Sequence, residues 1–177
     1  MPRLTAFLAA AAVALFSISP FGISAQAADS SLSDQSNTAY LAANAAKPGV
    51  VVRPSGLQYR IISSGFGKRP GPFDTVTANY TGTLINGKVF DQTEPELPAQ
   101  FVVNQLIPGW TEALELMREG DHWQLVIPPN LAYGARGAGN GIIPPNQTLV
   151  FDLELIKVTP PPPKQPGDDQ DKDSSQQ

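Results

Sequence analysis

Six of the seven Phe, Tyr and Trp residues within 80–151 form a candidate set: Tyr80, Phe90, Phe101, Trp110, Tyr133 and Phe151. Few ionisable groups stand among them, so the chemistry they offer is that of an apolar cleft and not of group transfer. Aromatics at strand and helix spacing ordinarily fill a core. Two details point further. Tyr80 and Tyr133 carry hydroxyls that need partners when buried, and Tyr133 lies in the non-periodic stretch 128–146. An apolar cavity with a few polar tips is what a small peptide-binding pocket requires.

The other chemistry-bearing residues lack companions. With no cysteine there is no disulfide, thiol nucleophile or thiolate metal site. His122 is the one histidine, so a multi-histidine metal site is excluded, and a Ser/His pair would depend on a residue in a strand pattern. Asp91, Glu94 and Glu96 offer paired carboxylates, but no sugar-stacking cluster accompanies all three. Gly65-Phe66-Gly67 and the glycine-rich run 137–141 look like phosphate loops, yet neither opens a helix. No cofactor or metal is expected. A net charge of −4 without a block of Lys or Arg argues against nucleic acid or anionic lipid as a partner.

The elements that must position these residues follow from periodicity. Leu57, Tyr59 and Ile61 alternate with polar neighbours, as in a half-buried strand. Val76, Ala78, Tyr80 and Leu84 alternate with Thr75, Thr77, Asn79, Thr81 and Thr83 in a second. Asn86-Gly87 is the favoured pair for a type I′ hairpin turn, so residues 88–91 should return as the partner strand. Trp110, Ala113, Leu114 and Met117 share one helical face between Pro108 and Gly120. Residues 122–127 and 149–158 read as two more strands, the latter with Leu149, Phe151, Leu153 and Leu155 on one side. The expected class is α+β, an antiparallel sheet curled over one short helix.

The ends differ in character. Arg3, the apolar run 4–16 and an Ala-Gln-Ala ending at Ala27 form the pattern of a cleaved export signal, residues 1–27. A span needs about 20 apolar residues, and Ser17, Ser19 and Pro20 interrupt this run, so no stable membrane insertion is expected after cleavage. Residues 28–52 read as a linker (29–37) and a short helix (38–46) ended by Pro48-Gly49. Residues 53–159 form the domain. Residues 160–177 are a proline-led acidic tail with nothing to bury, expected to be disordered and to act as a spacer or a ligand for a partner domain.

Several pieces stand in the order found in FKBP-type peptidyl-prolyl isomerases: NYTGTL (79–84), GKVFD (87–91), LIPGW (106–110), LAYG (131–134), IIPPN (142–146) and LVFDLELI (149–156). Across residues 55–158 the chain resembles that family. NQLIPGWTEALELM and PSGLQYR are similar to the exported bacterial branch, which includes the macrophage infectivity potentiator proteins.

The resemblance implies a five-stranded antiparallel sheet around a short helix, and rotation about Xaa–Pro bonds as the activity. Trp110 would floor the pocket under the prolyl ring, with Tyr80, Phe90, Leu106, Ile107 and Phe151 as walls. The Ile107 N–H and the Tyr133 hydroxyl would hold substrate carbonyls, Asp91 and Tyr80 would form a polar pair, and Ile142 and Ile143 would belong to a flap. Ala99, after Pro98, replaces a phenylalanine of many members and implies a wider pocket. The implied partners are proline-containing polypeptides and inhibitors of the tacrolimus and rapamycin type. The implied setting is a periplasmic monomer. The rival expectation is a peptide-binding or holdase module with little turnover.

Overall fold

The computed structural model describes residues 29–94 and 96–163. The expected export signal (1–27) and the part of the tail from 164 onward lie outside these. Among the described residues seven strands, β1 (Val50–Val52), β2 (Gln58–Ser63), β3 (Thr75–Leu84), β4 (Val89–Gln92), β5 (Ala99–Val102), β6 (His122–Ile127) and β7 (Leu149–Thr159), form one sheet in the order β1-β2-β6-β7-β3-β4, with β5 also on β3. Every pairing is antiparallel. Among the described residues two α-helices, α1 (Asp34–Ala45) and α2 (Pro108–Leu116), complete the α+β architecture.

The strand count exceeds the expected five because β1 and β5 carry little signal of their own. β1 has three residues that leave Val51 and Val52 exposed, so no alternation marks it. β5 follows Pro98 and has four residues; it shares the free edge of β3 with β4, β5 pairing the first half and β4 the second.

Alternation in β3 turns Val76, Ala78, Tyr80, Gly82 and Leu84 to the helix side, where Val76, Ala78 and Leu84 are at most 1% exposed. α2 answers with Trp110, Ala113 and Leu114, all buried. Pro108 occupies its first turn, where a missing N–H costs nothing. Gly109 lets the helix backbone rest on β6: a Cβ there would stand 2.4 Å from Ile127 Cγ2. Fully buried Leu114 and Met117 each contribute about 1.5–3 kcal/mol by leaving water.

Two local expectations need correction. The hairpin between β3 and β4 is not a two-residue type I′ turn. Gly87 N–H donates to Leu84 O at 2.9 Å, and Gly87 alone in the turn has positive φ (+84°), while Asn86 keeps a negative one. The loop is therefore longer by one residue, with Gly87 as the left-handed position before a bulge at Gly82/Thr83. Asn86 acts instead through its side chain, whose Oδ1 accepts the Lys88 N–H at 3.1 Å. The stretch read as linker, 29–37, is also structured. Ser33 caps α1 by accepting the Ser36 N–H, so the helix starts at Asp34, ahead of the expected Thr38. Among the described residues no helix is long and apolar enough to cross a membrane.

Candidate active site

The concave side between α2 and the β3–β7 face holds a cleft of about 110 Å³ lined by Tyr80, Phe90, Asp91, Phe101, Leu106, Ile107, Trp110, Tyr133 and Phe151. Trp110, 4% exposed, comes from the first turn of α2. Three rings meet it edge-on or nearly so: Tyr80 at 5.2 Å, Phe151 at 5.2 Å and Phe101 at 5.7 Å between centroids. Phe90 completes the wall, edge-on to Phe151 at 5.6 Å. Edge-to-face packing sets the positive rim of one ring against the negative face of the next, which fixes their mutual angle.

Strand register assembles this wall. Gly82 stands opposite both Asp91 on β4 and Phe151 on β7. A Cβ on Gly82 would lie 2.6 Å from Phe90 Cζ and 2.8 Å from Phe151 Cε1. The absent side chain is thus the space in which the two rings meet.

The polar rim has three members. The Tyr80 hydroxyl donates to Asp91 Oδ2 at 2.6 Å. Burial raises the Tyr80 phenol well above its usual value, and the hydrogen bond to Asp91 and its negative charge push the same way. Tyr133 is 40% exposed and lies just before a 3-10 turn (Gly134–Arg136). Its phenol is also raised, first by desolvation and then by the Asp91 charge. Both hydroxyls stay protonated as donors through neutral pH.

Ile107 precedes α2 with φ −58° and ψ 146°, the extended backbone that a following proline imposes. Its carbonyl accepts from Trp110 and Thr111, while among the described residues its N–H meets no backbone acceptor.

Eight of the ten residues singled out in the sequence therefore meet in one cleft: Tyr80, Phe90, Asp91, Leu106, Ile107, Trp110, Tyr133 and Phe151. Ile142 and Ile143 are not brought to its wall. Ile143 is 6% exposed and packs in the core, its backbone paired in both directions with Ala138. Positive φ at Gly139, Asn140 and Gly141 turns the loop back on itself and leaves Ile142 half-exposed. Phe101 was in the aromatic set but not among the assigned site residues. Only the pairing Val76↔Phe101 on β5 puts it beside Tyr80, and a four-residue strand announces itself poorly. His122 lies outside the cleft, with Nε2 2.6 Å from Asp152 Oδ1.

A family model described as FKBP-type peptidyl-prolyl cis-trans isomerase matches residues 67–156. A second, the domain amino-terminal to such isomerases, matches residues 21–61. The chain is 59% identical over 121 residues to the outer membrane protein MIP of Legionella longbeachae, covering 68% of this chain and 52% of that one. It is 52% identical over 120 residues to the FKBP-type 22 kDa peptidyl-prolyl cis-trans isomerase of Escherichia coli, covering 67% and 58%. The chain thus spans little more than half the length of these relatives. Among solved structures, a peptidyl-prolyl cis-trans isomerase from Pseudomonas syringae superposes with a TM-score of 0.67 at 40% identity, covering 71% of this chain and 92% of that one. FkpA from Escherichia coli gives 0.69 at 44%, covering 73% and 60%. The matched segment carries the whole aromatic cleft, and on that basis the chain belongs to the FKBP-type peptidyl-prolyl cis-trans isomerase family.

Proposed function

We propose that this chain catalyses rotation about Xaa–Pro peptide bonds in exported proteins. The observation that carries the reading is the small cleft floored by Trp110 and rimmed by the Tyr80–Asp91 pair and Tyr133. A dry cavity of about 150 Å³ holds a benzene molecule. A cleft of about 110 Å³ suits one pyrrolidine ring, with the flanking peptide left outside.

Unaided rotation crosses a barrier of about 20 kcal/mol and takes tens of seconds. Amide resonance is the obstacle, and water stabilises the planar, polar amide. The twisted amide is less dipolar and loses less on leaving water, so an apolar cleft favours it selectively. The ring rests on Trp110 while the preceding carbonyl turns among Tyr80, Phe90, Asp91 and Phe151. The Ile107 N–H and the Tyr133 hydroxyl take carbonyls of the flanking chain. Leu106 closes the apolar wall, and Ile142 belongs to the flap beside it, which buried Ile143 anchors to the core. A thousandfold to millionfold acceleration needs about 4–8 kcal/mol of preference for the twisted state. No nucleophile, proton transfer or cofactor enters this scheme.

Proline-containing polypeptides are then the substrates, and macrolides of the tacrolimus and rapamycin type compete for the same cleft. The proposed organisation is an export signal (1–27) removed at the membrane, an arm (28–52), the isomerase domain (53–159) and a tail (160–177). The mature chain acts as a periplasmic monomer. The relative from Legionella longbeachae, named an outer membrane protein, supports an exported setting.

The test is cis-to-trans exchange of a short Leu-Pro peptide followed by NMR with purified protein. Catalysed exchange is expected. Binding of the peptide with exchange left at the background rate would sink the enzyme reading and leave a peptide-binding or holdase module.

A further inference from the structure

α1 buries Asn37 and Asn44, each 3% exposed, where an apolar stripe would be usual. They stand at i and i+7 and so share one helix face. Asn44 Nδ2 donates to Gln58 Oε1 at 2.9 Å, and Gln58 Nε2 donates to Leu41 O at 3.0 Å, which ties α1 to β2. Asn37 makes a different connection. Its Oδ1 accepts the Thr148 N–H at 2.7 Å, and its Nδ2 donates to Gln147 Oε1 at 3.3 Å, to Leu32 O and to Ser33 O. Gln147, 3% exposed, donates in turn to Leu32 O and Pro145 O.

Gln147 and Thr148 are the last residues before β7, where the long loop from Pro128 rejoins the sheet. Inside that loop Asn146 N–H donates to Gly134 O at 2.8 Å, next to Tyr133. An unbroken chain of hydrogen bonds and covalent links therefore runs from α1 through Asn37 and the loop root to the cleft rim. Buried amides hold their partners in one register, because any shift leaves a donor or acceptor unpaired away from water.

We propose that Asn37 is a positioning residue for Tyr133. Through Gln147 and Thr148 it sets the root of the 128–148 loop, and α1 is a working part of the isomerase domain. The effect on turnover rests on the isomerase reading; the effect on loop order does not.

The experiment compares the full chain with Asn37→Ala, Gln147→Ala, the double variant and Asn44→Ala. Amide hydrogen exchange reports loop order, and Leu-Pro exchange by NMR reports turnover. Either single change on the clasp should speed amide exchange across residues 133–148 by roughly tenfold while the β3 and β7 amides keep their protection. Turnover should fall severalfold in kcat with KM little changed, and the double variant should be no worse than the worse single one. Asn44→Ala, which removes one of the two bonds to β2 and none of the clasp, should leave the loop amides and kcat as they were. Unchanged loop protection, or an equal loss across the whole domain, would overturn the proposal. Should Asn37→Ala fail to fold, Gln147→Ala cuts the same clasp from the loop side. A wild-type chain without turnover would defeat the isomerase reading, while the loop amides would still decide the role of Asn37.

Discussion

The Tyr80 hydroxyl donates to Asp91 Oδ2 at 2.6 Å across the β3–β4 hairpin. The bond joins the one carboxylate of the cleft to a phenol held edge-on to Trp110. Removing the carboxylate leaves the hydroxyl without its acceptor, and a hydrogen bond to a charged group is worth about 1.5–3 kcal/mol. Asp91→Val should lower kcat/KM for a Leu-Pro peptide at least tenfold. The melting midpoint followed by circular dichroism should fall by no more than about 10 °C, leaving the protein folded at 25 °C. A large loss of stability with unimpaired turnover per folded molecule would contradict a role in catalysis.

The two phenols of the cleft make an alkaline prediction. Tyr80 and Tyr133 have phenols raised above the ordinary value of 10.0, chiefly by burial. In the unfolded chain they ionise at that ordinary value, while in the folded chain they keep their protons. The folded state then binds more protons, so stability is full below pH 10 and falls as pH rises above it. Urea midpoints measured from about pH 9 to pH 11 should drop, and Tyr80→Phe should flatten the drop.

Trp110 tests whether the floor is separable from the core. Its ring makes edge-to-face contacts with Tyr80 and Phe151, each worth about 0.5–1.5 kcal/mol. Trp110→Leu keeps an apolar side chain, so a cost of about 2–4 kcal/mol is expected, inside the margin of an ordinary domain. The protein should stay folded while Leu-Pro exchange falls more than about tenfold. Outright unfolding would assign Trp110 to the core alone.

Gly82 is the cheapest place to close the cleft. A Cβ there meets Phe90 at 2.6 Å and Phe151 at 2.8 Å. Gly82→Ala should push both rings off their places at a cost of about 1–3 kcal/mol and reduce turnover more than stability. Ring proton shifts of Phe90 and Phe151 would show the displacement, and unmoved rings would refute it.

At the far end of the sheet, Glu119 makes an acid prediction. Its carboxylate accepts the Val158 N–H at 2.6 Å and the Lys68 N–H at 3.3 Å, and these bonds hold its pKa below 4.5. The folded pKa is depressed, so the stabilisation is present above the ordinary value and disappears as pH falls through the folded one. Glu119→Gln should be less stable than wild type at neutral pH, with the gap closing on acidification. Urea midpoints at neutral pH and near pH 3 measure the gap.

The sequence by itself determined the periodic strands, the apolar face of α2 and the family, because side-chain alternation and ordered motifs are local properties of the chain. It also named eight of the cleft residues, Tyr80, Phe90, Trp110, Tyr133 and Phe151 as members of an aromatic set and Asp91, Leu106 and Ile107 through the family resemblance. Beyond the Tyr80–Asp91 pair that the resemblance implied, the tertiary structure decided which of them touch and how. Tyr80 meets Asp91 because of the β3–β4 register, and Phe101 enters the wall because a short strand finds the free edge of β3. Left-handed residues in the 128–148 loop send Ile143 into the core. The docking of α1 was the least legible feature. Its buried face is amide, so no apolar stripe announces it, and Asn37 and Gln147 are 110 residues apart in the chain. Hydrogen bonds between distant polar side chains leave no periodic trace, because each partner looks solvated until the fold removes the water.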